Sequence, residues 1–157
     1  MTSTASEVAI LLAKAQRACS SARVLLEIGD LDGAANRAYY AMFDSARAAL
    51  VASGVARQSD SGRTHGGLIG AFGRHMVKTG KVPVEMGRLL NRAHEIRLVA
   101  DYTGDCMEPA EAAGLVAQAD TFVALMCEQV LQGKAGFQSW ESAMGELRAE
   151  LRGHQAP

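Results

Sequence analysis

The stretch DLDGAANRAYYAMFDSARAALVASG, residues 30–54, decides the fold. Leu31, Ala35, Ala38, Tyr39, Met42, Phe43, Ala46, Ala49 and Leu50 recur at spacings of three and four, the period of an α-helix with one face in a core. Asp30 stands where an N-cap belongs, and Gly54 stands where a helix stops. The stripe is wide, so the helix is expected to be covered on two sides. That leaves room for a partner chain beside its own bundle.

The same period extends outward. Upstream, Ala5–Ile28 reads as a helix, with Thr4 and Glu7 as a capping box and Gly29 as its stop. Downstream, a polar connection over 55–63 leads to a helix from Thr64 to Thr79, punctuated by Gly80 and Pro83. Val84–Tyr102 forms the next helix, followed by Gly104. Another begins at Pro109, a favoured first position, and runs to Gln132. Gly133 and Gly136 then break the pattern before a short amphipathic segment carrying Trp140, Met144, Leu147 and Leu151. Ala, Leu, Arg and Glu dominate and strand-like alternation is absent. The fold class expected is all-α: an up-and-down antiparallel bundle of about five helices over 1–132, with a short C-terminal helix and frayed end over 133–157.

Composition narrows the function classes. At 157 residues, 48% of them apolar, the chain can build one good core. Sixteen basic against seventeen acidic residues exclude a strongly basic nucleic-acid coat, an acidic tail and a disordered chain. No uninterrupted apolar run approaches the length of a membrane span, so no membrane association is expected. The first twenty residues lack a basic stretch ahead of an apolar block, unlike a secretory signal. Cys19, Cys106 and Cys127 lack metal-ligand spacing and read as reduced thiols of a cytoplasmic protein. No phosphate loop, HExxH or GxSxG is present, so neither a metal nor a cofactor is expected.

Polar chemistry gathers between residues 57 and 97, where basic residues exceed acidic ones by five and His65, His75 and His94 also lie. Such a face suits a phosphate-bearing ligand, or is a solvated helix surface balanced elsewhere. Arg37, Tyr40 and Asp44 share one helical face, while Tyr39 and Met42 share another. The tyrosines read either as binding residues or as core residues with polar tips. Thr64 starts a helix with His65 in its first turn, where the helix dipole is expected to lower the imidazole pKa and free N–H groups await an anion; a plain capping sequence is the alternative. Arg97 and Asp101 are four apart, in the weaker order for a helical ion pair. An acid in the last turn also opposes the dipole, so Asp101 is a candidate for a site or an interface.

Three segments in order, NRAYYAMFDSARAAL (Asn36–Leu50), THGGLIGAFGRHMVKTG (Thr64–Gly80) and LLNRAHEIRLVADY (Leu89–Tyr102), resemble the HEPN superfamily, in particular its small stand-alone bacterial and archaeal branch. The resemblance covers roughly residues 5–130. It implies a helical bundle that forms a homodimer, with the functional site in the cleft between protomers. Many members are metal-independent endoribonucleases and toxins, neutralised by a partner that is commonly a minimal nucleotidyltransferase antitoxin. Their signature is an Arg that holds the scissile phosphate, then four to six residues, then a His that transfers protons. Here Arg97 matches the Arg, while the place of the His is taken by Tyr102 with Asp101 before it. Arg88 with His94 and Arg148 with His154 match the spacing literally, at a frequency chance explains.

Metal-free RNA cleavage needs a base for the 2′-hydroxyl, an acid for the leaving oxygen and a cation for the phosphorane. Arg97 fits the cation. A tyrosine with a pKa near 10 is a poor base at neutral pH, which assigns that role to Asp101. The expected site is therefore Arg97, Asp101 and Tyr102, supported by Arg37, Tyr40, His65, Arg88 and Arg92. Two functions fit it: an endoribonuclease toxin, or a non-catalytic module holding a nucleotide, RNA or a partner protein in the same cleft.

Overall fold

A computed structural model describes residues 3–55, 64–104 and 107–131. Helix α1 spans Thr4–Glu27, α2 Leu31–Ala52, α3 His65–Phe72, α4 Val84–Tyr102 and α5 Pro109–Leu131. A π-helical turn, Gly73–Val77, extends α3. Among the described residues there is no strand, and the molecule is an all-α bundle. The anticipated C-terminal helix over 133–157 lies outside the described residues.

Helix α2 is the centre of the bundle. It packs against α1, α5, α4 and α3, and fourteen of its residues are buried. The width of its apolar stripe is thus accounted for by its own chain. Tyr39, Met42 and Leu50 of α2 join Phe72, Met86, Leu90, Phe122 and Met126 among the fully buried large side chains. Each such burial contributes roughly 1.5–3 kcal/mol. The Phe72 and Phe122 rings meet at 5.8 Å, locking α3 to α5.

Helix ends follow local chemistry. The Asp30 carboxylate accepts from Gly33 N at 2.9 Å as the α2 cap. Gly29, Gly54, Gly80 and Gly104 hold positive φ where helices end, a conformation that strains any residue with a Cβ. The α1 cap differs from the sequence reading: Ser3, not Thr4, accepts from Ser6 N, and Thr4 is already helical. The anticipated continuous helix over 64–79 is also divided. Lys78 N reaches back five residues to Gly73 O at 3.0 Å. Four glycines in this segment weaken the regular ladder, and the wider turn leaves Met76 buried in the core.

Helix α5 is long and apolar enough to cross a membrane by length and composition, with mean hydropathy 1.2 over Pro109–Val130 and half of that window buried. A count of uninterrupted runs misses it, because Glu111 and Asp120 break the run without lowering the mean much. Leu115, Val116, Ala119, Phe122, Val123 and Met126 place that apolarity inside the core.

Candidate functional site

Three helices bring one aromatic and basic cluster together. Tyr39 and Tyr40 come from α2, His65 is the first residue of α3, and His94 and Arg97 are one turn apart on α4. Thr64 places His65, because its Oγ1 accepts from Gly67 N at 3.0 Å and fixes the start of α3. The Tyr39 hydroxyl then meets His65 Nδ1 at 2.7 Å. The two imidazoles lie nearly parallel, 16° apart with centroids at 5.7 Å. Tyr39 touches both, at 5.6 Å from His65 and 5.3 Å from His94. Phe43 closes the inner side, 5.0 Å from His65.

Arg97 caps the cluster. Its guanidinium lies 5.4 Å from the Tyr39 ring centre and 5.3 Å from that of Tyr40, within cation–π range of both. Arg37 approaches Tyr40 at 5.1 Å. Arg97 Nε donates to Asp101 Oδ2 at 3.1 Å. The Arg97 side chain is only 15% exposed, so it is a positioned cation rather than a waving one.

Electrostatics follow from this packing. Burial lowers the pKa of His65, and the nearby Arg97 and His94 lower it further. Burial and Arg97 do the same to His94, against an opposing pull from Glu95. Both imidazoles are therefore neutral at pH 7. The lowering expected for His65 at the start of α3 is present, with burial as its largest cause. Burial raises the Tyr39 phenol above its ordinary value, so it keeps its proton. Among the described residues that hydroxyl meets no acceptor besides His65 Nδ1. With the hydroxyl donating there, the His65 proton sits on Nε2. His94 Nδ1 is buried without a partner among the described residues. Its tautomer is thus unanchored.

Not all of the expected residues meet. Arg97, Asp101, Tyr40, His65 and Arg37 converge, as described. Tyr102 does not join them: its side chain is 80% exposed and makes no ring contact or hydrogen bond among the described residues. Arg88 and Arg92 diverge, Arg88 toward α3 and Arg92 toward Ile96, Glu111 and Gln118 beside α5. Asp44, on the face of Arg37 and Tyr40, is buried. Burial raises its pKa, opposed by Lys14, Arg47 and Arg37. Tyr39, which the sequence offers as a binding or a core tyrosine, and His94, which it offers only as a chance match with Arg88, are the members outside the expected site. His94 stands three residues before Arg97, a spacing that puts both on one helical face. That spacing is the signal that could have found it. Among the described residues, no three His, Cys, Asp or Glu side chains are grouped to hold a metal.

Comparison with known proteins bears on this arrangement. A family model described as the HEPN domain matches residues 8–130. A UPF0332 protein of Gloeobacter violaceus is 34% identical over 125 residues, covering 78% of this chain and 94% of the relative. One from Thermotoga maritima is 40% identical over 95 residues, 60% of this chain and 67% of the relative. A Methanocaldococcus jannaschii protein that carries the name "Putative toxin" is 32% identical over 117 residues, 74% of this chain and 84% of that protein.

Proposed function

The chain belongs to the HEPN domain family, and from that premise we propose that it is a metal-independent endoribonuclease acting as the toxin of a toxin–antitoxin pair. The observation that carries the reading is the convergence of Arg97 with two neutral imidazoles on the buried Tyr39. Arg97 supplies fixed positive charge for a phosphodiester and for the phosphorane that forms from it. His65, held by Tyr39 as an Nε2–H donor, hydrogen-bonds a phosphate oxygen. Among the described residues no hydrogen bond at Nδ1 holds His94 in one tautomer, so in its Nδ1–H form Nε2 takes the 2′-hydroxyl proton as the 2′-oxygen bonds to phosphorus, and the imidazolium returns that proton to the 5′-oxygen as its bond to phosphorus breaks. This moves the base from Asp101 to His94, and Asp101 becomes the residue that orients Arg97.

The toxin half of the reading draws support from the name of the Methanocaldococcus relative. It brings with it a cytoplasmic homodimer and a minimal nucleotidyltransferase as antitoxin. Exposed Val99 and Tyr102, one turn apart near the end of α4, offer apolar surface for such contacts. Purified protein and structured RNA in EDTA should yield 2′,3′-cyclic phosphate ends, and Arg97→Ala and His94→Ala should abolish them. Cleavage that survives Arg97→Ala removes the assignment.

One observation favours a second reading. An orphaned buried N–H is costlier than an orphaned lone pair, so His94 at rest favours the Nε2–H form. Both imidazoles and Arg97 are then donors, a set suited to holding a phosphate without cleaving it. RNA or nucleotide that binds in an Arg97-dependent way but stays intact would select this reading.

A further inference from the structure

A groove of about 580 Å³ lies between the α3 end of the molecule and α4. Its volume falls within the roughly 300–1,000 Å³ of small-ligand sites. It begins where the two histidines end. Ile69 and Val77 follow His65 along α3 and the π-helical turn, while Asn91 and Val84 precede His94 along α4, and all four line the groove. The two segments run antiparallel, since His65 stacks on His94 at one end and Val77 packs on Gly87 at the other. From His94 to Gly87 the track covers seven residues of α4, about 10 Å.

The chemistry of its walls is one-sided. Arg74, Lys78 and Arg88 line it, and among the described residues no acid does. All three are exposed. The floor is apolar, built from Ile69, Val77 and Val84. Gly73 is open: a Cβ built on it meets nothing within 4 Å. A flat apolar floor beneath a row of cations suits a nucleobase with its phosphates, and the groove runs along the same two helical segments that carry His65, His94 and Arg97.

We propose that this groove is a second nucleotide subsite, which takes the first base beyond the two that flank the phosphodiester held at Arg97, over Ile69, Val77 and Val84, and the two phosphates beside that base on Arg74, Lys78 and Arg88. The inference rests on the reading of the Arg97 site as one for RNA phosphodiesters. It adds the direction in which the strand leaves that site, along α4 toward its N-terminus.

Binding tests it, whether or not the RNA is cut. The probes are a labelled single-stranded oligoribonucleotide of about eight residues and a dinucleoside monophosphate, which has one phosphodiester and does not extend into the groove. Wild type should bind the oligonucleotide more tightly than the dinucleoside monophosphate. Gly73→Leu fills the groove at a position whose φ of −59° and ψ of −47° suit any residue. It should weaken the oligonucleotide about tenfold and leave the dinucleoside monophosphate unchanged. The triple variant Arg74→Ala, Lys78→Ala, Arg88→Ala removes only exposed side chains, so it decides the matter even if Gly73→Leu fails to fold. Its salt slope should fall by about 1.4, at about 0.7 for each of the two phosphates no longer neutralised. Oligonucleotide affinity and salt slope at wild-type values in the triple variant, or equal wild-type affinity for the two probes, overturn the subsite. Failure of the underlying reading shows separately, as binding of both probes that ignores Arg97→Ala.

Discussion

Arg97→Met tests the site's physics without requiring a known substrate. The substitution keeps an unbranched apolar stem over Tyr39 and Tyr40 but removes the charge. Two cation–ring interactions at 5.4 and 5.3 Å disappear, each worth about 0.5–1 kcal/mol. The Asp101 ion pair goes as well, worth about 0.3 kcal/mol for an i,i+4 pair. The expected loss is about 1–2 kcal/mol, read as a lower urea midpoint at unchanged slope, or roughly 3–8 °C in Tm. The histidines report the same event. Arg97 is the second cause lowering both His65 and His94, after burial, so both should titrate higher in the variant, though still below about 6.5. The sign for stability follows. Below pH about 6.5 the unfolded chain takes up protons before the native imidazoles do, so wild-type stability falls as pH drops through that value toward the lowered native pKa values. In Arg97→Met the fall should be shallower. NMR titration of the two imidazoles and urea melts from pH 7 to 5 measure all of this. Unmoved histidine titrations with an unchanged urea midpoint would refute the placement of Arg97 over the cluster.

Tyr39→Phe removes the hydroxyl at 2.7 Å from His65 Nδ1 and leaves a half-buried ring nitrogen unpaired. It should cost about 1–3 kcal/mol in denaturant melts, and nitrogen NMR should show His65 losing its Nε2–H preference; a neutral outcome on both measures would contradict the bond. Asp44→Asn should stabilise the fold at pH 7, because burial disfavours the charged carboxylate. The gain should vanish in acid, once the wild-type carboxyl is protonated in the native state; paired thermal melts across pH settle the sign. Burial pushes the Cys19 thiol up to about 12 and also raises that of Cys127. Cys19, which is buried, should react with a thiol reagent at pH 8 only on unfolding, and half-buried Cys127 more slowly than a free thiol; rapid native-state labelling of Cys19 would argue against that burial.

Much of this fold is legible in the primary structure because helices obey local rules. Asp30, Pro109 and the glycines at 29, 54, 80 and 104 mark ends by their own backbone preferences, whatever surrounds them. The misreadings share one cause, which is competition between neighbours. Ser3 and Thr4 can each cap a helix, and the backbone chose Ser3. The glycine-rich segment after Thr64 could sustain a regular helix or a wider turn, and the need to bury Met76 accompanies the wider one. The candidate site divides the same way. Arg97 with Asp101 is an i,i+4 pair on one helix, so its spacing is readable. His94 reads from the sequence as a chance match with Arg88, because its link to His65 joins residues 29 positions apart on different helices.

By itself, then, the order of amino acids determined an all-helical bundle, the positions of its helices, its HEPN kinship and the candidacy of Arg97, since each depends on periodicity or on a contiguous motif. Only the tertiary structure decided that Tyr39, His65 and His94 gather beneath that guanidinium while Tyr102 points to solvent and Arg88 and Arg92 part company. The physical reason is that desolvation and neutralisation of an imidazole depend on what the other helices bring within a few ångströms of it, and spacing along one helix carries no record of that.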